Sequence, residues 1–223
     1  MVVLATKCYV SGDARERSLD SLGSLVEDAI GELDVTFDIG IRDDDFPSVT
    51  VEGEDAVAAR NLLAEQWGVI TPQLDAGEVH VGTLEQWDED GFYLDAGREV
   101  FVPAEELGLG PGTPDQIRTR YGLVQHVPLR FVLDEDGTAS LAEAEIDRLY
   151  DWTRGTGRVN VNSATRAEVR ATVNRAGHAQ DIVTVERLGL LEQSIVCRED
   201  TDPPGLLASI GSYLSAELLA VVP

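Results

Sequence analysis

Between Trp152 and Gln180 the chain places Arg154, Arg158, Arg166, Arg170 and Arg175 against a single acid, Glu168. A guanidinium keeps its charge at any ordinary pH, forks two donors onto a phosphate and stacks on flat rings, so this island suits phosphate and nucleobase chemistry. Arg166, Arg170 and, less closely, Arg175 recur at spacings that fall near one helix face, from which they could follow a backbone together. His178 follows Gly177, at what reads as the end of that helix, where a cation is mildly favoured. The plainer alternative is a solvated helix whose arginines pair with acidic neighbours.

The island stands out because the background is so acidic. Asp and Glu number 41 against 17 basic residues, a formal net charge of -24, and Lys7 is the one lysine. By region the net charge is -10 over residues 1–72, -11 over 77–145 and only -2 over 146–223. A folded, lysine-poor, acidic chain resembles proteins of salt-loving archaea, whose surface carboxylates hold water in concentrated salt. In about 1 M salt the Debye length shrinks to about 3 Å, so the overall charge does not exclude nucleic acid as a partner. What counts is where the acidity is interrupted.

Residues 77–142 carry the second chemical signal. Alternating Val79, Val81 and Leu84 lead to the turn Asp88-Glu89-Asp90-Gly91, then the strand Phe92-Tyr93-Leu94. A turn at Ala96-Gly97-Arg98 precedes the strand Val100-Phe101-Val102-Pro103 and a short helix over Ala104–Leu107. After the Gly/Pro-rich stretch 108–112, the apolar run Val127–Leu133 and the strand Ala139–Leu141 flank an Asp/Gly turn. Short alternating strands with such turns predict a small antiparallel barrel. The order "VGTLEQWDEDGFYLDAGREVFVPAEELG … VPLRFVLDEDGTASL" resembles the S1 version of the OB-fold. That resemblance implies an RNA-binding face at Asp90, Tyr93, Phe101 and Pro103, of which only Tyr93 and Phe101 are aromatic, with Arg98 in the turn between their strands. Otherwise the two rings simply fill the barrel wall.

The flanks read as β-α-β-β-α-β twice. In the first, Val2–Val10 alternates as a strand, Ser18 caps a helix to Leu33, and Val35–Ile41 alternates cleanly. Ser48–Glu52 follows, then a helix over Glu54–Trp67 with Val57, Leu62, Leu63 and Trp67 inward, and a short strand at Val69-Ile70. In the second, Arg158–Val161 is a strand and Asn162 or Ser163 caps the arginine-bearing helix. Two further strands, a Pro-initiated helix over 205–214 and a closing strand at Leu218–Val222 complete it. A KH domain would need a GxxG loop between helices, and none is present. The expected fold is therefore α+β: an S1-like OB β-barrel (77–145) between two ferredoxin-like βαββαβ domains (1–72 and 146–223).

Along nearly its full length the chain resembles an archaeal domain-of-unknown-function family. The likeness rests on the central barrel, on "VNSATRAEVRATVNRAGHAQD" and on "VERLGLLEQSIVCREDTDPPGLL". Asp202-Pro203-Pro204-Gly205-Leu206-Leu207 also resembles the turn of ACT domains that binds small ligands, but a Pro-initiated helix with a tight turn is the favoured reading, because too little chain follows Leu207 for an ordinary ACT domain.

Other chemistries find little footing. Cys8 and Cys197 are isolated, and His80, His126 and His178 lack zinc-ligand spacing. The acidic turns at 43–45 and 134–136 lack the remaining ligands of a calcium loop. No nucleophile motif or catalytic carboxylate pair stands out, so no enzyme, metal or cofactor is expected. No stretch approaches the roughly 20 apolar residues of a membrane span, and the expected location is the cytoplasm. The expected partner is RNA, single-stranded or in a loop, within the translation or transcription machinery. An adaptor docking on a ribosomal or polymerase subunit is the rival.

Overall fold

The computed structural model describes residues 1–223 as an α+β protein with three antiparallel sheets and six α-helices. The N-terminal unit runs β1 (Val2–Val3), α1 (Asp13–Ile30), β2 (Val35–Ile41), β3 (Pro47–Gly53) and α2 (Ala56–Trp67). Its sheet order is β1-β3-β2, and a single bridge, Leu4 to Val69, stands where a closing strand was expected. Helix α1 begins five residues before Ser18, with Asp13 and Glu16 in the first turn, where acids favour the helix dipole. Ser18 is no cap: its hydroxyl donates to the Ala14 carbonyl inside the helix. Leu22, Val26 and Ile30, one helical turn apart, face the core. In α2 the inward stripe is Ala59, Leu63 and Trp67, whereas Val57 and Leu62 point to solvent, 64% and 43% exposed. A stripe anchored on Trp67 must follow steps of four, which carries Val57 and Leu62 off the buried face.

The strand expected over Val2–Val10 stops at Val3. Residues Leu4 to Cys8 leave the sheet yet stay buried, because they thread between the N-terminal unit and the two that follow.

The central unit comprises β4 (Val79–Trp87), β5 (Gly91–Asp95), β6 (Glu99–Pro103), α3 (Pro114–Tyr121), β7 (Pro128–Leu133) and β8 (Ala139–Leu141). The strands form one sheet in the order β6-β5-β4-β7-β8. Edge strands β6 and β8 share no ladder, so the expected barrel is not closed. Phe92, Leu94, Leu129 and Phe131 fill its concave side. A 3-10 turn, Ala104–Glu106, stands where a helix was expected. Helix α3 was missed in the sequence, yet its start is well marked. Thr113 and Gln116 form a reciprocal capping box around Pro114. It stops at Gly122, whose φ of 64° suits glycine and where a β-carbon would fall 2.6 Å from Val221.

The C-terminal unit follows α4 (Glu143–Arg154). It contains β9 (Arg158–Val161), α5 (Arg166–Arg175), β10 (Ile182–Arg187), β11 (Gln193–Cys197), α6 (Pro203–Ile210) and β12 (Leu218–Val221). The strand order is β10-β11-β9-β12. Thr165, rather than Asn162 or Ser163, caps α5 and forms a capping box with Glu168.

The loop between β10 and β11 joins the units. Leu190 and Leu191 belong to the hydrophobic core of the N-terminal unit, and the Leu190 N–H donates to Thr6 Oγ1 at 2.7 Å. Glu192 is fully buried and accepts the Tyr9 hydroxyl at 2.7 Å, while the Ser163 N–H donates to that same hydroxyl at 2.8 Å. Burial raises the Glu192 pKa to about 8 against a normal 4.5, and desolvation pushes Tyr9 up as well. The folded protein thus holds the Glu192 proton more tightly than the unfolded chain does. Stability should fall as the pH rises from about 4.5 to about 8 and level off above, a slope that urea titrations at stepped pH should find reduced in Glu192→Gln.

Candidate nucleic-acid interface

Two adjoining clefts, of about 430 and 630 Å³, share Arg148, Arg187 and Leu188 as walls. The first lies where all three units meet and carries Trp67 from α2, Arg130 from β7, and Arg148 and Arg187. The second runs along the C-terminal unit and adds Trp152, Arg158 and Arg166. Five of the 17 basic residues of this acidic chain therefore line one continuous groove.

Local structure sets each of them. On α4, Arg148 and Trp152 lie four residues apart on one face, with Trp152 buried and Arg148 partly exposed above it. The Arg148 and Arg158 guanidiniums sit 4.9 and 4.7 Å from the Trp152 ring centre, and Arg187 sits 5.6 Å from that of Trp67. Arg158 also bonds Glu186 and Ser194, both at 3.0 Å. Arg166 donates to the Val185 carbonyl at 2.6 Å, and neither it nor Arg187 has a carboxylate within ion-pair distance. Burial, and then the charge of Arg166, hold the Arg187 pKa below the usual arginine value. A bound anion would relieve both.

The residues singled out in the sequence scatter around this groove. Arg158 and Arg166 line it; Arg170 lies in a smaller depression beside it, with Arg198. Arg154 is exposed over the Tyr150 ring and 4.0 Å from Asp151, and Arg175 is exposed at the end of α5. His178 bonds the Asp181 carboxylate at 2.6 Å, in a third depression bordered by α6. There the Asp202 carboxylate caps α6 by accepting the Gly205 N–H, as a Pro-initiated helix requires.

Tyr93 and Phe101 face each other across β5 and β6, their ring centres 4.9 Å apart, with Phe101 38% exposed. Their surroundings are acidic rather than basic. The Tyr93 hydroxyl donates to Asp88 at 2.8 Å, and that bond, with N–H groups of Asp90 and Gly91, holds the Asp88 carboxyl below its usual range. Asp90 and Glu99 are charged neighbours of the same ring, and Arg98 is the nearby exposed cation.

Between the aromatic pair and the groove, the outer face of the sheet is covered. Lys7 reaches over it to Asp95 at 2.7 Å and Glu85 at 3.3 Å, and Val81 packs against Val3, Ala5, Phe46 and Ile70. Burial works against the Lys7 ammonium, but its bonds to Asp95 and Glu85 outweigh it and keep the pKa above the usual lysine value.

Arg130, Arg148 and Arg187 escaped the sequence reading. Arg130 sits alone in an apolar strand, and Arg187 precedes an ordinary turn. Only the four-residue step from Arg148 to Trp152 on an amphipathic helix was a usable sign.

Three family models match the chain in succession: the DUF2110 N-terminal domain over residues 1–73, the DUF2110 central domain over 74–153 and the DUF2110 C-terminal domain over 156–222. No curated protein matches it. No helix is long and apolar enough to cross a membrane.

The groove is anchored from beneath by Glu145, a fully buried carboxylate with one oxygen 3.3 Å from Arg130 and the other bonded to Arg148. Removing one partner of a buried pair strands the other, which is the costly way to break it. Arg148→Ala should therefore lower stability by about 3 kcal/mol in urea denaturation, near the bottom of the range for such pairs because Arg130 remains. A Glu145→Leu, Arg148→Ala double variant should recover most of that loss. Equal destabilisation of both variants would show that Glu145 is not what Arg148 serves.

Proposed function

The chain belongs to the DUF2110 family along its whole length, and for this member we propose a non-catalytic RNA-binding role in archaeal information processing: translation, transcription or RNA metabolism. The observation that carries the reading is the groove, where five guanidiniums and two indole rings are gathered on a chain of net charge -24. A single strand or loop would lay its phosphates along Arg158, Arg166 and Arg187. Bidentate pairing and stacking are short-ranged, so they survive salt that abolishes counterion release. The lysine-poor acidic remainder supports an origin in concentrated salt.

The finer fold belongs with this reading. The central order β6-β5-β4-β7-β8 supports an S1-like OB arrangement left open between its third and fifth strands. The order β10-β11-β9-β12, and the bridge beside β1, support ferredoxin-like flanks. In this arrangement the N-terminal segment sits across the middle of the sheet face that S1 barrels offer to RNA, and the interface shifts to the groove. Tyr93 and Phe101, ringed by Asp88, Asp90 and Glu99, favour a second role for that end of the sheet: docking a basic segment of a protein partner.

UV crosslinking to RNA in extract held at about 2 M KCl, where charges are screened within a few ångströms, tests the reading. Crosslinks should drop tenfold or more in an Arg166→Gln, Arg187→Gln variant and persist in a Tyr93→Ala, Phe101→Ala variant. The opposite pattern would move the interface to the sheet, and no crosslink above background would end the RNA proposal.

A further inference from the structure

We infer that the cleft where the three units meet is a site for a terminal phosphate monoester, at the end of an RNA strand or on a free mononucleotide. As an RNA-end site it rests on the reading above; as a nucleotide site it does not. Its walls include Thr6, Gln66, Trp67, Arg130, Arg148 and Arg187. Trp67 is only 8% exposed, and its indole N–H is buried with no hydrogen-bond partner, as is the Nε–H of Arg148. A buried donor without an acceptor is costly, and native proteins keep few of them.

The chemistry of the lining narrows the ligand. Guanidinium and indole nitrogens are donors only, so three arginines and an indole ask for a group made entirely of acceptors. A nucleobase offers donors as well and satisfies this lining poorly. A phosphoryl group offers acceptor oxygens on every side.

The charge narrows it further. Buried Glu145 compensates one of the three guanidiniums, leaving two, and the other carboxylates nearby, Glu65 in the lining and Asp28 near Arg187, are exposed to solvent, where their charges are screened. A monoester carries about 1.5 to 2 negative charges at neutral pH, whereas a bridging phosphodiester carries one. Two unbalanced guanidiniums match the end of a strand better than its middle. The second cleft, opening from the first through Arg148 and Arg187, then takes the diester backbone that follows.

Calorimetric titration of the full-length protein tests this with one short RNA in three forms, 5′-phosphorylated, 3′-phosphorylated and unphosphorylated, and with a nucleoside monophosphate. At least one phosphorylated end should bind tenfold or more tightly than the unphosphorylated strand. Arg187→Gln should erase that preference. Trp67→Phe, which deletes the N–H together with one ring of the indole, should reduce it several-fold while urea denaturation shows the protein still folded. Preference among the RNAs with no binding of the monophosphate assigns the strand end as the source; binding of the monophosphate alone assigns the free nucleotide and leaves the RNA role without support. Equal affinity for all three RNAs, with no binding of the monophosphate, would overturn the site while leaving RNA binding along the groove intact. A preference that survives both substitutions would overturn it as well.

Discussion

The structure turns on a buried polar seam, in which the irregular segment Thr6–Tyr9 meets the loop Leu188–Glu192. Each partner alone would be a liability. Residues Leu4 to Cys8 are buried outside any sheet, so their backbone groups need partners that regular structure does not supply. The Ala5 N–H finds the Gly68 carbonyl, the Cys8 N–H finds the Asp45 carbonyl, and Thr6 and Tyr9 spend their side chains on the far loop. In return that loop places Leu190 and Leu191 in a core that is not its own. A seam that mixes borrowed apolar cores with these buried hydrogen bonds fixes one geometry, because sliding the units would strand several buried donors at once.

That fixed geometry lets a strongly acidic chain keep a basic groove. The arginines that line it come from β7, α4, β9, α5 and β10, and Trp67 comes from α2. The C-terminal unit supplies three of the five, Arg158, Arg166 and Arg187, and the last two repel each other there, while α4 and the central unit add Arg148 and Arg130. Glu145 beneath Arg130 and Arg148, and Glu186 beside Arg158, hold three of the five in place by pairing, while the unpaired two supply the attraction. The Trp152 ring stacked with both Arg148 and Arg158 limits how far those chains can fold away. Preorganised guanidiniums lose less freedom on meeting a phosphate than solvated ones do.

Local pattern accounts for what could be read in advance. Strands with clean alternation, such as Val35–Ile41, and short ones between Asp/Gly turns lie within a residue or two of their expected limits. The caps of α1 and α5 and the start of α3 are local misreadings; the others involve distant partners. Val2–Val10 alternates like a strand, but its second half faces two other units. Val57 and Leu62 were apolar at near-helical spacing, and only the position of Trp67 against the core decides which face is buried. The five strands of the central unit were legible one by one; that their outer edges do not pair was not, since closure depends on tilt and stagger across the whole sheet. For the groove, the island beyond Trp152 pointed to Arg158 and Arg166. Arg130 joins them through docking of the central unit and Arg187 through the pairing of β10 with β11, and only the step from Arg148 to Trp152 left a sign in the chain.

The covered sheet face follows from the same docking. On an isolated five-stranded sheet the outer surface from Phe101 through Tyr93 to Arg130 would be one continuous platform. Here Lys7 crosses it and consumes Glu85 and Asp95, the carboxylates that would otherwise sit in its centre. The single lysine of the chain thus offsets one of the two carboxylate charges in the platform's middle, while the acids at its aromatic end have no cation paired to them. One end is left negative and aromatic, the other positive and lined by indoles. A platform split in this way has two surfaces of opposite character, held at a fixed separation by the segment between them. A polyanion has reason to choose only one.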